Sequence, residues 1–97
     1  MQTPPDSSET QVGARFFDRH KRDLGWAFSV SKRQPLLGGL TVLDVSTTEA
    51  GLEASLLSLD NDPLLVESGG PSGQRYVFTW ASGYANGSQI RIQGVLA

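Results

Sequence analysis

The sequence contains no cysteine and a single histidine, His20, in 97 residues. Without cysteine there is no disulfide, no thiolate zinc site, no cysteine nucleophile and no dithiol redox pair. One imidazole rules out a histidine-rich metal site and leaves a single candidate base of that type. Charge is scarce as well, at 19%, below what helical bundles and coiled coils carry. The hydrophobic share of 38% is nevertheless too high for a disordered chain. No apolar run approaches the roughly 18 residues of a membrane span. The first ten residues, MQTPPDSSET, are polar and proline-containing, unlike a secretory leader. One small domain is expected, without metal, cofactor or membrane, in the cytosol or in an assembly built there.

The charge that is present is unevenly spread. Residues 1–33 carry six basic residues against four acids, a net +2. Residues 34–97 carry Arg75 and Arg91 against six acids, a net −4. A mildly basic front on an acidic body suits a segment that docks on a partner.

Hydrophobic periodicity points to strands. Residues 1–11 contribute nothing to a core, and Pro4-Pro5 blocks regular structure there. Leu24, Trp26, Phe28 and Val30 alternate with Gly25, Ala27, Ser29 and Ser31, the pattern of a half-buried strand. After Pro35 and Gly38-Gly39, the run Leu40-Thr41-Val42-Leu43-Asp44-Val45 reads as a second strand, and residues 47–51 as a turn. Residues 52–59 are open: Leu, Ala and Glu favour helix, whereas strand fits the spacing of the neighbours. Residues 15–23 are open too, between one or two helical turns and another strand. Asp60-Asn61-Asp62-Pro63 is a turn signal, and Leu64-Leu65-Val66-Glu67 a short strand. Tyr76, Phe78 and Trp80 alternate with Arg75, Val77 and Thr79. Asn86-Gly87 signals a hairpin, and Ile90, Ile92 and Gly94 alternate with polar partners. Six or seven short strands predict an all-β protein, an antiparallel β-sandwich of immunoglobulin-like type. Its core is expected to hold Trp26, Phe28, Val42, Tyr76, Phe78, Ile90 and Ile92. The expected organisation is an extended N-terminal arm and anchor segment over residues 1–23, then the sandwich over residues 24–97.

No catalytic constellation is complete. His20 has Asp18 and Asp23 nearby but no local nucleophile, so a solvated or interface histidine is the simpler reading. Asp60-Asn61-Asp62 starts like a calcium loop, but Leu65 and Pro71 stand where that loop needs glycine and glutamate. Residues 69–73 are glycine-rich without the lysine and helix of a phosphate loop. Ser72 lacks the glycine two residues on that a nucleophile elbow requires. Asn86-Gly87-Ser88 matches a glycosylation sequon and is better explained as the hairpin turn. Tyr76, Phe78 and Trp80 would make a stacking platform only if they faced outward, and an alternating aromatic row more often faces the core. The stretch Arg15-Phe16-Phe17-Asp18-Arg19-His20-Lys21-Arg22 stands out. Its acids and the acidic balance of the chain disfavour nucleic acid. Arg15, Phe16, Phe17, Arg19, Lys21 and Arg22 are expected to bind a protein partner with an acidic groove.

Trp26, the run Gly39-Leu40-Thr41-Val42, then Ser68-Gly69-Gly70 with Gly73 and Tyr76, and an alternating last strand over residues 90–95 form a sequence pattern. Over about residues 24–97 the chain resembles small immunoglobulin-like structural proteins of tailed bacteriophages. The basic early segment and the proline-rich arm depart from that pattern. The resemblance implies a non-enzymatic virion protein, such as a capsid decoration (cement) protein or similar head or tail accessory. Its partners would be the major capsid protein or other virion proteins, with self-association in a symmetric assembly. Its location would be the virion, assembled in the host cytoplasm. The alternative is a β-sandwich module that binds carbohydrate or a host surface.

Overall fold

A computed structural model describes residues 12–33, 39–69 and 73–97. Among these described residues six strands and one helix follow one another: β1 (Val12–Phe17), β2 (Asp23–Arg33), β3 (Thr41–Ser46), α1 (Ala50–Leu57), β4 (Asp60–Ser68), β5 (Arg75–Asn86) and β6 (Gln89–Leu96). Every strand pair is antiparallel. The hydrogen bonds run round a closed barrel in the order β1-β2-β3-β6-β5-β4. Two three-strand meanders therefore meet at two seams, β3 with β6 and β1 with β4.

The all-β expectation holds. The immunoglobulin-like sandwich is corrected to a barrel, because β1 bonds on both sides: Arg15 faces Trp26 on β2 and Glu67 on β4. Two packed sheets would leave edges there, and closure removes them. The same pairing moves the expected boundary between arm and body. Residues 12–17 are a stave of the barrel, and a cut between residues 23 and 24 would fall inside β2. Residues 1–11 lie outside the described residues.

The open segment at 52–59 is settled mostly as helix. Leu52 and Leu56, four residues apart on one face of α1, are fully buried in the central cluster. The helix joins the end of β3 to the start of β4 and closes that end of the barrel. It lies so close to β5 that a side chain at Gly83 would overlap the Leu56 carbonyl. The missing Cβ is what admits the helix here.

The core holds Phe78, Ile90 and Ile92 as expected, joined by Ala14, Phe16, Ala27, Val30, Leu43 and Val45 among others. Tyr76 packs partly against it, and Val42 is buried outside the cluster. Trp26 and Phe28 are corrected: they are 38% and 56% exposed. Ala14 pairs with Ala27 and Val12 with Val30, so β2 uses three residues where β1 uses two. The extra residue is a bulge that puts both Ala27 and Val30 inside and turns Trp26 and Phe28 out. A second irregularity separates Phe78 from Trp80 on β5. Ala81 takes the next inward place, and Trp80 is only half-buried.

Candidate functional site

The basic stretch singled out in the sequence divides into a strand and a tight turn. Asp18 organises the turn. Its Oδ1 accepts the backbone N–H of His20 at 2.8 Å and of Arg22 at 3.0 Å, and its Oδ2 accepts Arg22 Nε at 3.0 Å. Its own backbone closes the loop, with Lys21 N–H donating to Asp18 O at 2.9 Å and Asp18 N–H to Arg22 O at 3.1 Å. Lys21 takes a left-handed φ of 64°. An aspartate that hydrogen-bonds the backbone just ahead of it is well suited to a turn. The Arg22 backbone donor, foremost, holds the Asp18 carboxyl below the ordinary carboxylate range; desolvation opposes this, and the His20 N–H and Arg22 side chain reinforce it.

Outside the barrel, Trp26 is held by its backbone. Its N–H donates to Glu49 Oε1 at 2.9 Å, and its carbonyl accepts Thr47 Oγ1 at 2.8 Å. The indole lies over the backbone at Gly13 and Gly69; a side chain at Gly13 would occupy the ring's place. The Arg15 guanidinium sits 5.7 Å from the ring centre and also pairs with Asp23 at 3.0 Å. Trp26, Arg15, Glu67 and Arg75 face one another across β2, β1, β4 and β5. Phe17, Leu65 and Val77 form an apolar row beside them, with Val77 exposed. Together with Phe28, these rows make an aromatic and apolar outer face crossed by ion pairs.

A different outer face carries an ionic cluster that the sequence reading passed over. Arg91 on β6 donates to both oxygens of Asp44 on β3, at 2.8 and 3.3 Å, and Arg33 adds a contact at 3.3 Å. Only 6% of the Asp44 side chain is exposed. The bond with Asp44, foremost, pushes the Arg91 pKa further up, with Tyr84 adding to it. The available signal was an aspartate inside a β-branched strand run, where an unpaired charge would be costly.

The expected partner-binding residues separate in space. Phe16 is fully buried in the core, so it is corrected from an interface anchor to a core residue. Phe17 is half-buried and faces outward with Leu65. Arg15 and Arg22 are exposed but engaged with Asp23 and Asp18. Arg19, His20 and Lys21 are exposed on the turn. Asp23 serves Arg15, and Asp18 meets His20 only at the backbone, so neither carboxylate orients the imidazole. The turn expected at residues 60–63 is instead the irregular start of β4, where Asn61 takes a left-handed φ of 60° and Asp62 accepts the Asp60 N–H at 3.0 Å. Among the described residues no group of three or more His, Cys, Asp or Glu side chains could hold a metal ion. Gly87-Ser88 is the two-residue loop of the β5–β6 hairpin, as the Asn-Gly signal implies. Residues 70–72, with Ser72, lie outside the described residues.

The turn also forms one wall of an open cleft of about 270 Å³ at the α1 end of the barrel. Leu24, Leu59 and Pro63 contribute its apolar lining, and Ser55 and Ser58 lie on the helix side. No protein-family model, curated protein or solved structure matches the chain.

Proposed function

We propose that this chain is a non-enzymatic interaction module, an accessory structural protein of a bacteriophage particle, which attaches to virion protein through the outer face of β1 and β2. The observation that carries the reading is the outward placement of Trp26 and Phe28 on a rigid strand. Aromatic side chains held on regular structure bind at low entropic cost, and they are enriched at protein interfaces. Full burial of a large apolar side chain is worth about 1.5–3 kcal/mol, and each of these two has only part of its surface left to bury. Many copies on a symmetric particle convert such modest contacts into firm attachment. The bacteriophage setting is supported by the sequence resemblance over residues 24–97. The outer aromatic face supports attachment to protein.

The test uses virions assembled without the chain. Added wild-type protein should co-sediment with them, and a folded Trp26→Ala/Phe28→Ser variant should not. Equal binding by the variant would remove this face as the interface. Failure of the wild type to bind would remove the virion reading. One feature favours a second reading: the partly exposed Trp26 ring, packed against Gly13 and Gly69, could also stack on a sugar ring. Retention of wild-type protein on an immobilised oligosaccharide, lost in Trp26→Ala, would decide for it.

A further inference from the structure

A second contact region lies at the α1 end of the barrel, and it does not depend on the outer aromatic face. Arg19, His20 and Lys21 stand on the Asp18-bonded turn with no ion pair or side-chain hydrogen bond to any described residue. The turn's own carboxylate, Asp18, is committed to Arg22 and to two backbone donors, and Asp62, across the cleft, forms no ion pair with Arg19 or Lys21. Arg19 and Lys21 are thus unneutralised cations on a chain whose net charge is −2, and the turn that carries them is ordered before any partner arrives. Behind the turn lies the cleft of about 270 Å³, with Leu24, Leu59 and Pro63 among its lining and Arg19 and His20 on its wall.

We infer that this cleft receives a short segment of a partner protein in which a carboxylate side chain neighbours an apolar one. The carboxylate lies against Arg19 on the cleft wall, with Lys21 adjoining on the same turn, and the apolar side chain enters over Leu24, Leu59 and Pro63. The volume suits one or two side chains, smaller than the usual 300–1,000 Å³ of a small-molecule pocket. Charge selects the class of partner. A nucleic-acid strand would bring phosphates toward Asp18 and Asp62, which also line the cleft, and no Phe, Tyr or Trp lines it to give a base a broad stacking surface. A single carboxylate can meet the cationic wall and avoid both acids. Because the turn is internally bonded, little order has to be created on binding.

The probe is a fluorescent peptide in which glutamate alternates with leucine, compared with the same peptide carrying glutamine for glutamate. Binding is followed by anisotropy, and the site by amide shifts in the full chain. The glutamate peptide should move the amides of residues 18–22 and 55–59, and bind at least 10-fold more tightly than the glutamine peptide. Arg19→Ser/Lys21→Ser should lose at least 10-fold with an unchanged thermal midpoint, and Arg19→Lys/Lys21→Arg should retain most of the binding. Trp26→Ala/Phe28→Ser should bind the peptide as the wild type does, so loss of the outer-face reading is distinguishable from loss of this one. Equal binding of the two peptides, no shift at residues 18–22, or tighter binding of a single-stranded oligonucleotide at the same amides would each overturn the inference.

Discussion

Arg91 grips both carboxylate oxygens of Asp44 although 47 residues separate them in the chain. The pair ties β6 to β3 at one of the two seams where the meanders join. Asp44 is almost fully covered, and the Arg91 side chain is 25% exposed. Arg91→Met should therefore leave a buried carboxylate short of its main partner and destabilise the protein by about 3 kcal/mol. Arg33, a mostly exposed contributor, should cost under about 1 kcal/mol when changed to Met. Urea unfolding of the two variants checks the contrast, and equal losses would contradict it.

Adjacent phenylalanines should behave oppositely. Phe16→Ala opens a cavity in the core and should cost about 3–5 kcal/mol. Phe17 is half-buried on the outer face, and Phe17→Ser should cost about 1 kcal/mol while weakening attachment to virions. Thermal melts and co-sedimentation separate the two effects. Loss of attachment without loss of stability in the Phe16 variant would contradict its place in the core.

Gly83→Ala should destabilise despite the loss of a flexible residue. The added carbon would overlap the Leu56 carbonyl of α1, and relieving that overlap should cost about 1–3 kcal/mol. A neutral or stabilising result would show that α1 is free to move away from β5.

The Asp18 turn should weaken in acid. The carboxyl titrates below its ordinary value in the folded protein, so its contribution is complete above the unfolded-state value of about 3.9. It is lost as pH falls through the lower folded value. The amides of His20 and Arg22 should then exchange faster over that range, while those of β6 change less. Asp18→Asn should remove this pH dependence. A carboxyl midpoint at or above the unfolded-state value would contradict the hydrogen-bonding scheme.

Legibility in the sequence followed the range of each interaction. The β5–β6 hairpin was readable because Asn86-Gly87 and the alternation of Ile90 and Ile92 are local signals. The scarcity of catalytic side chains was readable from composition. The inward face of β2 was not. Period-two spacing marks two faces, but the bulge between Ala27 and Val30 exchanges them and is visible only from the pairing with β1. The stretch over residues 15–22 was legible as a patch of basic and aromatic residues, yet its assignment to a free arm failed: Phe16 is in the core, Phe17 is on the outer face, and Arg19 and Lys21 are on a turn at the barrel end.

By itself the sequence determined the strand-rich class and the β5–β6 hairpin turn, since each depends on neighbours a few residues apart, whereas the turn signals at 47–51 and 60–63 ran into α1 and β4. Tertiary structure decided that the strands close into a barrel, that Trp26 and Phe28 face outward, and that Asp44 meets Arg91. These outcomes depend on hydrogen bonds and ion pairs between residues distant in the chain. Such pairings leave no local pattern, because either partner alone is compatible with several registers until closure of the barrel selects one.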